Sequence, residues 1–291
     1  MTYYTNLSED EKAKVDELAD LMRGKVTTIV AGAGMSTDAG IPDYRGSGSS
    51  GNPTVDFDLF MSHPKWQRWV WQRNQETWRT VAGLTPTAGH LAVAALQRAG
   101  LVNGIATQNV DGLDERAGIQ RPALLHGTFD LVDCTTCGAQ YSREEVDGWM
   151  RRLNPDLKDD PDPKNVAILA QVDEDGANSS TFEPAPCPRC GGVLKPNVVF
   201  FGEQLPMQEM DLAFAYADAA DVILVVGSSL MVATGLWVVH QGLQHGAKLA
   251  VINRGPTQVD YNADVRIEGG SSEILMALAE RLGVDYSEYQ G

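Results

Sequence analysis

The sequence predicts an α/β fold in which helices cover both faces of a parallel sheet. Short, apolar, β-rich segments alternate with helical stretches along the chain, which is the order of elements that builds a parallel sheet. One segment, Val222–Val226, is apolar at every position, as expected for a strand covered on both faces. Two Cys-x-x-Cys pairs interrupt the alternation and indicate a small separate module. The predicted architecture is one large domain with a small insertion.

Composition and charge are those of a folded protein that does not bind nucleic acid or membranes. The chain has 291 residues, of which 43% are hydrophobic, and 23 basic against 39 acidic side chains give a formal net charge of −16. This charge favours cationic partners, such as lysine-bearing protein tails, over nucleic acid or an anionic membrane. The polar, acidic start has no secretory signal, and no apolar run approaches the roughly 20 residues that span a bilayer. We therefore expect a cytoplasmic protein.

A helix is predicted near the start of the chain. Ser8 followed by Glu11 has the form of a capping box, in which each residue satisfies a backbone N–H of the other. Apolar side chains then recur at helical spacing at Val15, Leu18 and Met22. The alternative is a frayed terminal tail.

Five strands are predicted, at residues 26–30, 101–106, 198–201, 222–226 and 249–252. Two stretches break the alternation of strands and helices. Residues 46–53 are rich in glycine and serine and read as a loop, and the tryptophan-rich stretch after them predicts a helical insert. Residues 134–190 contain both cysteine pairs and a polar, proline-dotted run, which predicts a module outside the sheet. Ligand sites in such sheets lie at the carboxyl ends of the strands.

A glycine-rich turn follows the first predicted strand. A dinucleotide site of the Rossmann type needs a strand end, a tight turn of small residues and a helix start. This segment supplies them with Gly32, Gly34 and Ser36. The third glycine, Gly40, comes later than in the usual Gly-x-Gly-x-x-Gly pattern, and the alternative is a tight turn without a ligand. Arg45 supplies a positive charge for an anionic ligand or, alternatively, a surface salt bridge.

Polar residues suited to ribose and amide groups follow the second predicted strand. Gln108, Asn109 and Asp111 offer two amides and a carboxylate, and the alternative is an Asx turn that closes the strand. His126 lies further along, and histidine is the usual side chain for taking a proton near neutral pH. A single histidine without a known partner is more often a core or surface residue than a catalytic base.

The cysteines Cys134, Cys137, Cys187 and Cys190 predict a structural metal site. Two Cys-x-x-Cys pairs supply the four thiolates of a tetrahedral Zn²⁺, and glycine and proline beside the second pair suit tight turns. Four protein ligands leave no open coordination position, so one Zn²⁺ would hold a small zinc-binding module together without performing chemistry. The alternative is a redox-active dithiol.

Taken together, these motifs resemble those of the sirtuins, in the sirtuin order and over nearly the whole chain. They are Gly32-Ala33-Gly34-Met35-Ser36, Gly40-Ile41-Pro42-Asp43-Tyr44-Arg45, Thr107-Gln108-Asn109-Val110-Asp111, His126-Gly127, the four cysteines, residues 195–203, residues 226–230 and Asn253-Arg254-Gly255. The long insert between the cysteine pairs and residues 195–203 are most like the class II branch. Two residues depart from the pattern, since many sirtuins have histidine where this chain has Asp114 and phenylalanine where it has Tyr44.

The resemblance implies an NAD-dependent protein-lysine deacylase that acts on acetyl or longer acyl groups. In such an enzyme the acyl group passes from lysine to ADP-ribose and nicotinamide is released, with NAD as co-substrate. The implied partners are acyl-lysine proteins or peptides, with no nucleic acid and no membrane. The alternatives are transfer of ADP-ribose to protein at the same NAD site, a non-catalytic NAD sensor or zinc-module interaction protein and, least favoured in so acidic a chain, a DNA-binding zinc ribbon.

The resemblance also implies roles for individual residues. His126 acts as general base on a ribose hydroxyl, and Asn109 and Asp111 complete the catalytic set by holding the nicotinamide ribose. The implied NAD contacts are Gly32, Ala33, Gly34, Ser36, Asp43, Tyr44, Arg45, Gln108, Asn109, Val110, Asp111, Gly227, Ser228, Ser229, Asn253, Arg254, Gly255 and Ser271. The implied substrate contacts are Val199, Phe201, Gly202 and Glu203, with the peptide adding a strand between this segment and the one after Leu230.

The implied domain organisation has three parts. A discontinuous, Rossmann-like NAD-binding domain comprises residues 21–127 and 192–283 and carries the helical insert at about residues 46–85. Residues 128–191 are the small zinc-binding module. Residues 1–20 are an N-terminal helix or tail.

Overall fold

A computed structural model describes residues 3–42, 53–156 and 170–286. The strands are β1 (Thr27–Ala31), β2 (Val102–Thr107), β3 (Ala123–Leu124), β4 (Gly127–Cys134), β5 (Gln140–Ser142), β6 (Leu194–Val198), β7 (Val222–Val226), β8 (Lys248–Asn253) and β9 (Val265–Glu268). The helices are α1 (Tyr3–Asn6), α2 (Glu9–Met22), α3 (Phe57–Ser62), α4 (Pro64–Ala82), α5 (Ala88–Arg98), α6 (Leu113–Arg116), α7 (Arg143–Leu153), α8 (Glu174–Ser179), α9 (Met207–Asp218), α10 (Ala233–Gln244) and α11 (Ser271–Arg281).

The larger sheet has six strands in the order β3-β2-β1-β7-β8-β9, and every pairing in it is parallel. The chain runs outward from β1 through β2 to β3 and later returns to β7 on the other side of β1. The strand order therefore reverses between β1 and β7. In an open parallel sheet a ligand binds at such a switch point, beyond the carboxyl ends of the strands.

Helices cover both faces of this sheet, as the sequence predicts. Successive side chains of a strand point to opposite faces, and β7 shows this alternation directly. Leu224 joins a buried cluster with residues of α2, α5 and α11, whereas Ile223 and Val225 join a second cluster with residues of α9 and α10. Because both faces are buried, every position of the strand is apolar, and this explains the uniform run in the sequence.

The helix α2 confirms the prediction made for the start of the chain. Ser8 accepts a hydrogen bond from the backbone N–H of Glu11, and the Glu11 carboxylate accepts one from the N–H of Ser8 at 2.8 Å, so the capping box is closed. Val15, Leu18 and Met22 are fully buried in the cluster that α2 shares with α11 and the sheet. The segment is therefore a packed helix rather than a tail.

The smaller sheet is antiparallel, with the order β5-β4-β6. The prediction of a strand of the large sheet at residues 198–201 is wrong, because β6 ends at Val198 and pairs with β4. Residues 198–201 are apolar for another reason: Val198 and Phe200 are buried beneath the helical insert, and the chain turns at Gly202, where φ is +79°. The division into domains stays a prediction, and the small sheet extends past its boundary at residue 191.

The helical insert packs against the small sheet through its tryptophans. Trp71 of α4 is fully buried, and its indole N–H donates to the carbonyl of Leu194 at 2.9 Å. The guanidinium of Arg143, at the start of α7, lies 4.8 Å from the ring of Trp71 and 5.1 Å from that of Trp78. The tryptophan-rich sequence thus forms the interface between the insert and the cysteine-bearing module. Within the described residues, none of the helices has the length and apolar character needed to cross a bilayer.

Candidate active site

The loops that follow β1 and β7 cross in direct backbone contact. Gly32 donates its N–H to the carbonyl of Val226 at 3.1 Å, and Gly34 donates to the carbonyl of Gly227 at 2.8 Å. A Cβ atom on Gly34 would lie 2.6 Å from Cα of Gly227, a residue whose φ is +59°. Glycine is therefore required because two backbones touch. These two N–H groups are engaged within the protein, although glycine amides of this kind of loop are usually considered as phosphate ligands.

We expect Gly34→Ala to lower the free energy of unfolding by about 1–3 kcal/mol, because the new methyl group overlaps backbone that has no room to move. Gly148→Ala is the matched control. Gly148 lies inside α7, and a Cβ atom on it would be 3.9 Å from the guanidinium of Arg152, so alanine should stabilise the helix by about 0.5–1 kcal/mol. Urea unfolding of both variants measures the difference. Equal effects of the same sign would show that the crossing loops are not in contact.

Ser36, Asn109 and Asp111 meet at the carboxyl ends of β1 and β2. The hydroxyl of Ser36 donates to the carboxylate of Asp111 at 2.7 Å, and the Asn109 amide donates to the Ser36 hydroxyl at 3.2 Å and to the Gly32 carbonyl at 3.0 Å. Asp111 is 3% exposed, and burial raises its pKa, while the hydrogen bonds from Leu113 and Ser36 act in the opposite direction. The structure therefore brings together three predicted site residues that are up to 75 positions apart in sequence.

His126 lies beside this cluster, immediately before β4. Its Nδ1 is 3.0 Å from the backbone carbonyl of Gln108, and its Nε2 is 2.8 Å from the hydroxyl of Thr234. Burial lowers the pKa of His126 below the ordinary value, and the hydrogen bond to the Gln108 carbonyl partly opposes this shift. The imidazole is therefore uncharged at neutral pH and able to accept a proton.

Asp114, which departs from the sirtuin pattern, is buried next to Asp111. Its Oδ1 lies 3.9 Å from Nε2 of His90, and both side chains are buried. Burial and the nearby Asp111 carboxylate raise the pKa of Asp114 to about 7, and burial lowers the pKa of His90 to about 4. His90 is thus uncharged at neutral pH, and the negative charge beside Asp111 changes with protonation of Asp114.

The residues predicted for the adenosine side lie after β7 and β8 and at the start of α11. Ser228 and Ser229 follow the end of β7, and the hydroxyl of Ser228 donates to the Gln108 amide oxygen at 2.9 Å. Asn253 ends β8, and its amide donates to the carbonyl of Gly255 at 2.9 Å. The hydroxyl of Ser271, the first residue of α11, donates to the carbonyl of Gly34 at 2.7 Å. Of these contacts, that of Ser271 reaches the glycine loop, and that of Ser228 reaches the loop after β2.

The other predicted NAD contacts are three residues of known position and three that the structure does not describe. The backbone of Arg254 follows β8, and its guanidinium lies next to Gly270, where a Cβ atom would be 2.6 Å from Nη2. Val110 is 5% exposed and packs within an apolar cluster, so its side chain points into the core. Ala33 is part of the tight turn of the glycine loop, where its carbonyl accepts from the N–H of Ser36. Asp43, Tyr44 and Arg45 lie outside the described residues, and their roles stay predictions.

The predicted peptide-binding segment is fixed directly to His126. The N–H of Val199 donates to the carbonyl of His126 at 2.9 Å. Phe201, at the tip of the turn that Gly202 makes, is 58% exposed. Across the site, Met231 and Val232 are 69% and 44% exposed after the end of β7. Two segments with exposed apolar side chains thus flank the histidine.

Glu203 points into the protein, although the resemblance implies a substrate contact. Its carboxylate accepts from the N–H of Phe200 at 2.9 Å and lies 3.1 Å from Nζ of Lys195. The ammonium of Lys195, which is 4% exposed, also donates to the carbonyls of Pro196 and Val198 at 2.8 Å each. Its three protons therefore have three acceptors, and the pair fixes the turn that presents Phe201.

We expect Lys195→Met to lower the free energy of unfolding by about 3–5 kcal/mol, because the change leaves the Glu203 carboxylate without its buried partner. Lys248→Met is the matched control: this lysine is 57% exposed and pairs with Asp264 at 3.0 Å, so its loss should cost less than about 1 kcal/mol. Urea unfolding provides the measurement. Adding Glu203→Gln to Lys195→Met should recover part of the loss, and no recovery would argue against a coupled pair.

The four cysteines come together at one end of the small sheet. All four sulfur atoms lie within 4.8 Å of one another, and the separations of Cys134 from Cys190 and of Cys137 from Cys187 are 3.5 and 3.8 Å. A tetrahedral ion with Zn–S bonds of about 2.3 Å requires sulfur separations of about 3.8 Å. The residues therefore fit Zn²⁺, with no coordination position left for a substrate. Positive φ at Gly138 and Gly191 closes two equivalent turns around the pairs.

Thr234 contacts the imidazole of His126, although no sequence motif includes it. It lies 108 positions from His126 and near the start of a helix, where threonine is unremarkable in a single sequence. Only the return of the chain through β7 brings it to the imidazole. Motif spacing carries no signal for such a contact.

The chain is similar to known proteins over nearly its whole length. Residues 32–234 match the model of the Sir2 family. NAD-dependent protein deacetylase 1 of Mycobacterium avium (strain 104) is 37% identical over 272 residues, which cover 93% of this chain and 96% of that protein. A solved Sir2 structure with a propionylated peptide has a TM-score of 0.74 at 28% identity and covers 94% of this chain and 100% of the other. A second, with an inhibitor, 2'-O-acetyl-ADP-ribose and a deacetylated peptide, has a TM-score of 0.71 at 27% identity, covering 92% and 99%.

Proposed function

The chain belongs to the Sir2 family, and from this membership we propose how its residues carry out NAD-dependent deacylation of protein lysines. The protein is an NAD-dependent protein deacylase: it removes an acyl group from lysine, transfers it to ADP-ribose and releases nicotinamide. NAD is the co-substrate, and one structural Zn²⁺ is the metal.

A single arrangement carries the proposal. His126 stands with an unprotonated imidazole next to the cluster of Ser36, Asn109 and Asp111, at the switch point of a parallel sheet. A neutral histidine beside hydroxyl-binding side chains is suited to removing a proton from a bound ribose hydroxyl. A module that only binds NAD needs neither the base nor the polar cluster.

In this proposal NAD, when bound, supplies a ribose carbon that the acyl oxygen attacks as nicotinamide leaves. Asn109 and Asp111 hold the hydroxyls of that ribose, and Gln108 positions them through the backbone of the same loop. His126 takes the proton of a ribose hydroxyl at Nε2, since its Nδ1 is bonded to the Gln108 carbonyl. Ser228, Asn253 and Ser271 mark the path of the remainder of the dinucleotide, in line with their position at the strand ends.

The substrate in this proposal is an extended acyl-lysine peptide. It lies between the turn at Phe201 and the segment at Met231 and Val232, and adds a strand to both edges. Support comes from the exposed apolar side chains on these segments and from the hydrogen bond that ties Val199 to His126. The acidic chain also favours lysine-rich sequences around the acyl-lysine.

Incubation of the purified protein with NAD and a panel of peptides tests the function. The panel carries acetyl-, longer acyl-, lipoyl- and succinyl-lysine, and mass spectrometry quantifies nicotinamide and acyl-ADP-ribose. We expect equal amounts of both products, with the rate identifying the preferred acyl chain. ADP-ribose attached to protein would favour the transferase instead, and NAD binding without turnover would favour a sensor.

A further inference from the structure

Thr234, the second residue of α10, contacts the imidazole of His126 directly. Its Oγ1 lies 2.8 Å from Nε2 of His126 and 3.1 Å from the amide nitrogen of Gln108. The threonine is 5% exposed, so water does not replace these contacts freely. A Cβ atom on the next residue, Gly235, would lie 2.9 Å from the Gln108 amide oxygen, which explains why the helix carries glycine there.

The direction of each hydrogen bond follows from the groups that can only accept or only donate. The backbone carbonyl of Gln108 can only accept, so Nδ1 of His126 carries the proton and Nε2 has a free electron pair. The Gln108 amide nitrogen also lies 3.2 Å from the carbonyl of Val232, and its oxygen accepts from the Ser228 hydroxyl at 2.9 Å. The amide nitrogen therefore faces Thr234 and donates to its hydroxyl.

The acceptor of the Thr234 hydroxyl proton follows from the same contacts. Because its oxygen accepts from Gln108, its own proton points to Nε2 of His126. A directed chain of hydrogen bonds thus runs from Ser228 through Gln108 and Thr234 to the imidazole. It connects the loop after β7 with the nitrogen that accepts the proton.

We propose that Thr234 is a positioning residue for the general base: its hydroxyl holds Nε2 of His126 oriented and unprotonated until a ribose hydroxyl takes its place. The proposal rests on the proposed function only in naming His126 as the base. Among the described residues, the imidazole's hydrogen-bond partners come from the end of β2 and from α10, and both are uncharged. The pKa of His126 is lowered by burial, and the Gln108 carbonyl opposes this.

Thr234→Val and Thr234→Ser test the proposal as a matched pair. Valine keeps the shape and removes the hydroxyl, and serine keeps the hydroxyl. We expect kcat for acyl-ADP-ribose formation to fall about 3- to 10-fold in Thr234→Val, as for the loss of one hydrogen bond, and to stay within twofold of wild type in Thr234→Ser. Exchange of labelled nicotinamide into NAD, which precedes the proton transfer, should stay within twofold in both.

The titration of His126 gives a second measurement that needs no turnover. Imidazole signals are followed by NMR without NAD or peptide, and the signal missing in His126→Ala identifies the residue. Loss of the donor in Thr234→Val removes a contact that favours the neutral ring, so its pKa should rise by about half a unit to one unit.

Two results would overturn the proposal: an unchanged rate and titration in Thr234→Val, or a parallel fall of nicotinamide exchange and deacylation, which would indicate a merely structural role. Absence of acyl-ADP-ribose with the wild-type protein would instead contradict the proposed function, and the titration would still decide the role of Thr234.

Discussion

Replacing His126 by alanine should reduce acyl-ADP-ribose formation by about 10²–10⁴-fold, the usual contribution of a positioned general base. The imidazole has an unprotonated Nε2 and a lowered pKa, and no other histidine of the described residues shares its contacts with the end of β2. Nicotinamide exchange should continue, because the base acts after nicotinamide has left. The expected result is therefore a separation of two activities.

A control variant and the pH dependence of the rate test the role of His126 further. His240→Ala, an exposed change on α10, should stay within twofold of wild type. In the wild-type enzyme, protonation of His126 should lower kcat/KM only below pH 6.5, because the base works when unprotonated and its pKa is lower than this ordinary value. Mass spectrometry of acyl-ADP-ribose across pH provides both measurements. Retention of more than a tenth of the wild-type rate in His126→Ala would sink the assignment of the base.

Replacing Cys187 by serine should have the largest effect on stability. A structural Zn²⁺ contributes about 10–16 kcal/mol of apparent binding free energy in small zinc-dependent folds, so losing one of four thiolates should unfold the module. The sulfur also lies 3.2 Å from the Tyr141 hydroxyl oxygen, and the Tyr141 ring packs against Trp149 with their ring centroids 5.1 Å apart. Tryptophan fluorescence should therefore report the change together with zinc content.

Deacylase activity should fall with the zinc, although the ion takes no part in the chemistry. The strands β4 and β6 hold the Val199 contact to His126, so a disordered module releases the peptide segment. A chelator applied to the wild-type protein should reproduce the effect, and added Zn²⁺ should reverse it. Activity that responds to a reducing agent but not to zinc would favour the alternative of a redox dithiol.

The sequence predicts the parts of this molecule that depend on local pattern. A few neighbouring residues are enough to predict three features: the buried strand β7, the glycine loop and the cluster of four cysteines. The short edge strands β3 and β9 are not predicted, since two and four residues carry too little periodicity. Residues 198–201 mislead because burial beneath a helical insert and burial in a sheet select the same apolar side chains.

The contacts within the site are likewise predicted only in part. The resemblance to sirtuins names Ser36, Asn109 and Asp111, and the structure brings them into hydrogen-bond contact. It does not name the inward turn of Glu203 or the hydroxyl of Thr234, since both depend on partners that the sheet topology brings near. Assignment to the class II branch stays a prediction.

The position of His126 in the chain has a mechanical consequence. The two covalent connections between the sheets run from β3 to β4 and from β6 to β7. His126 is the last residue of the first connection, and Val199, the first residue of the second, is bonded to it. Both crossings therefore meet at one point. Because His126 and Val199 tie these crossings together, we expect any rotation of the small sheet against the large one to displace the imidazole less than the rest of the small sheet.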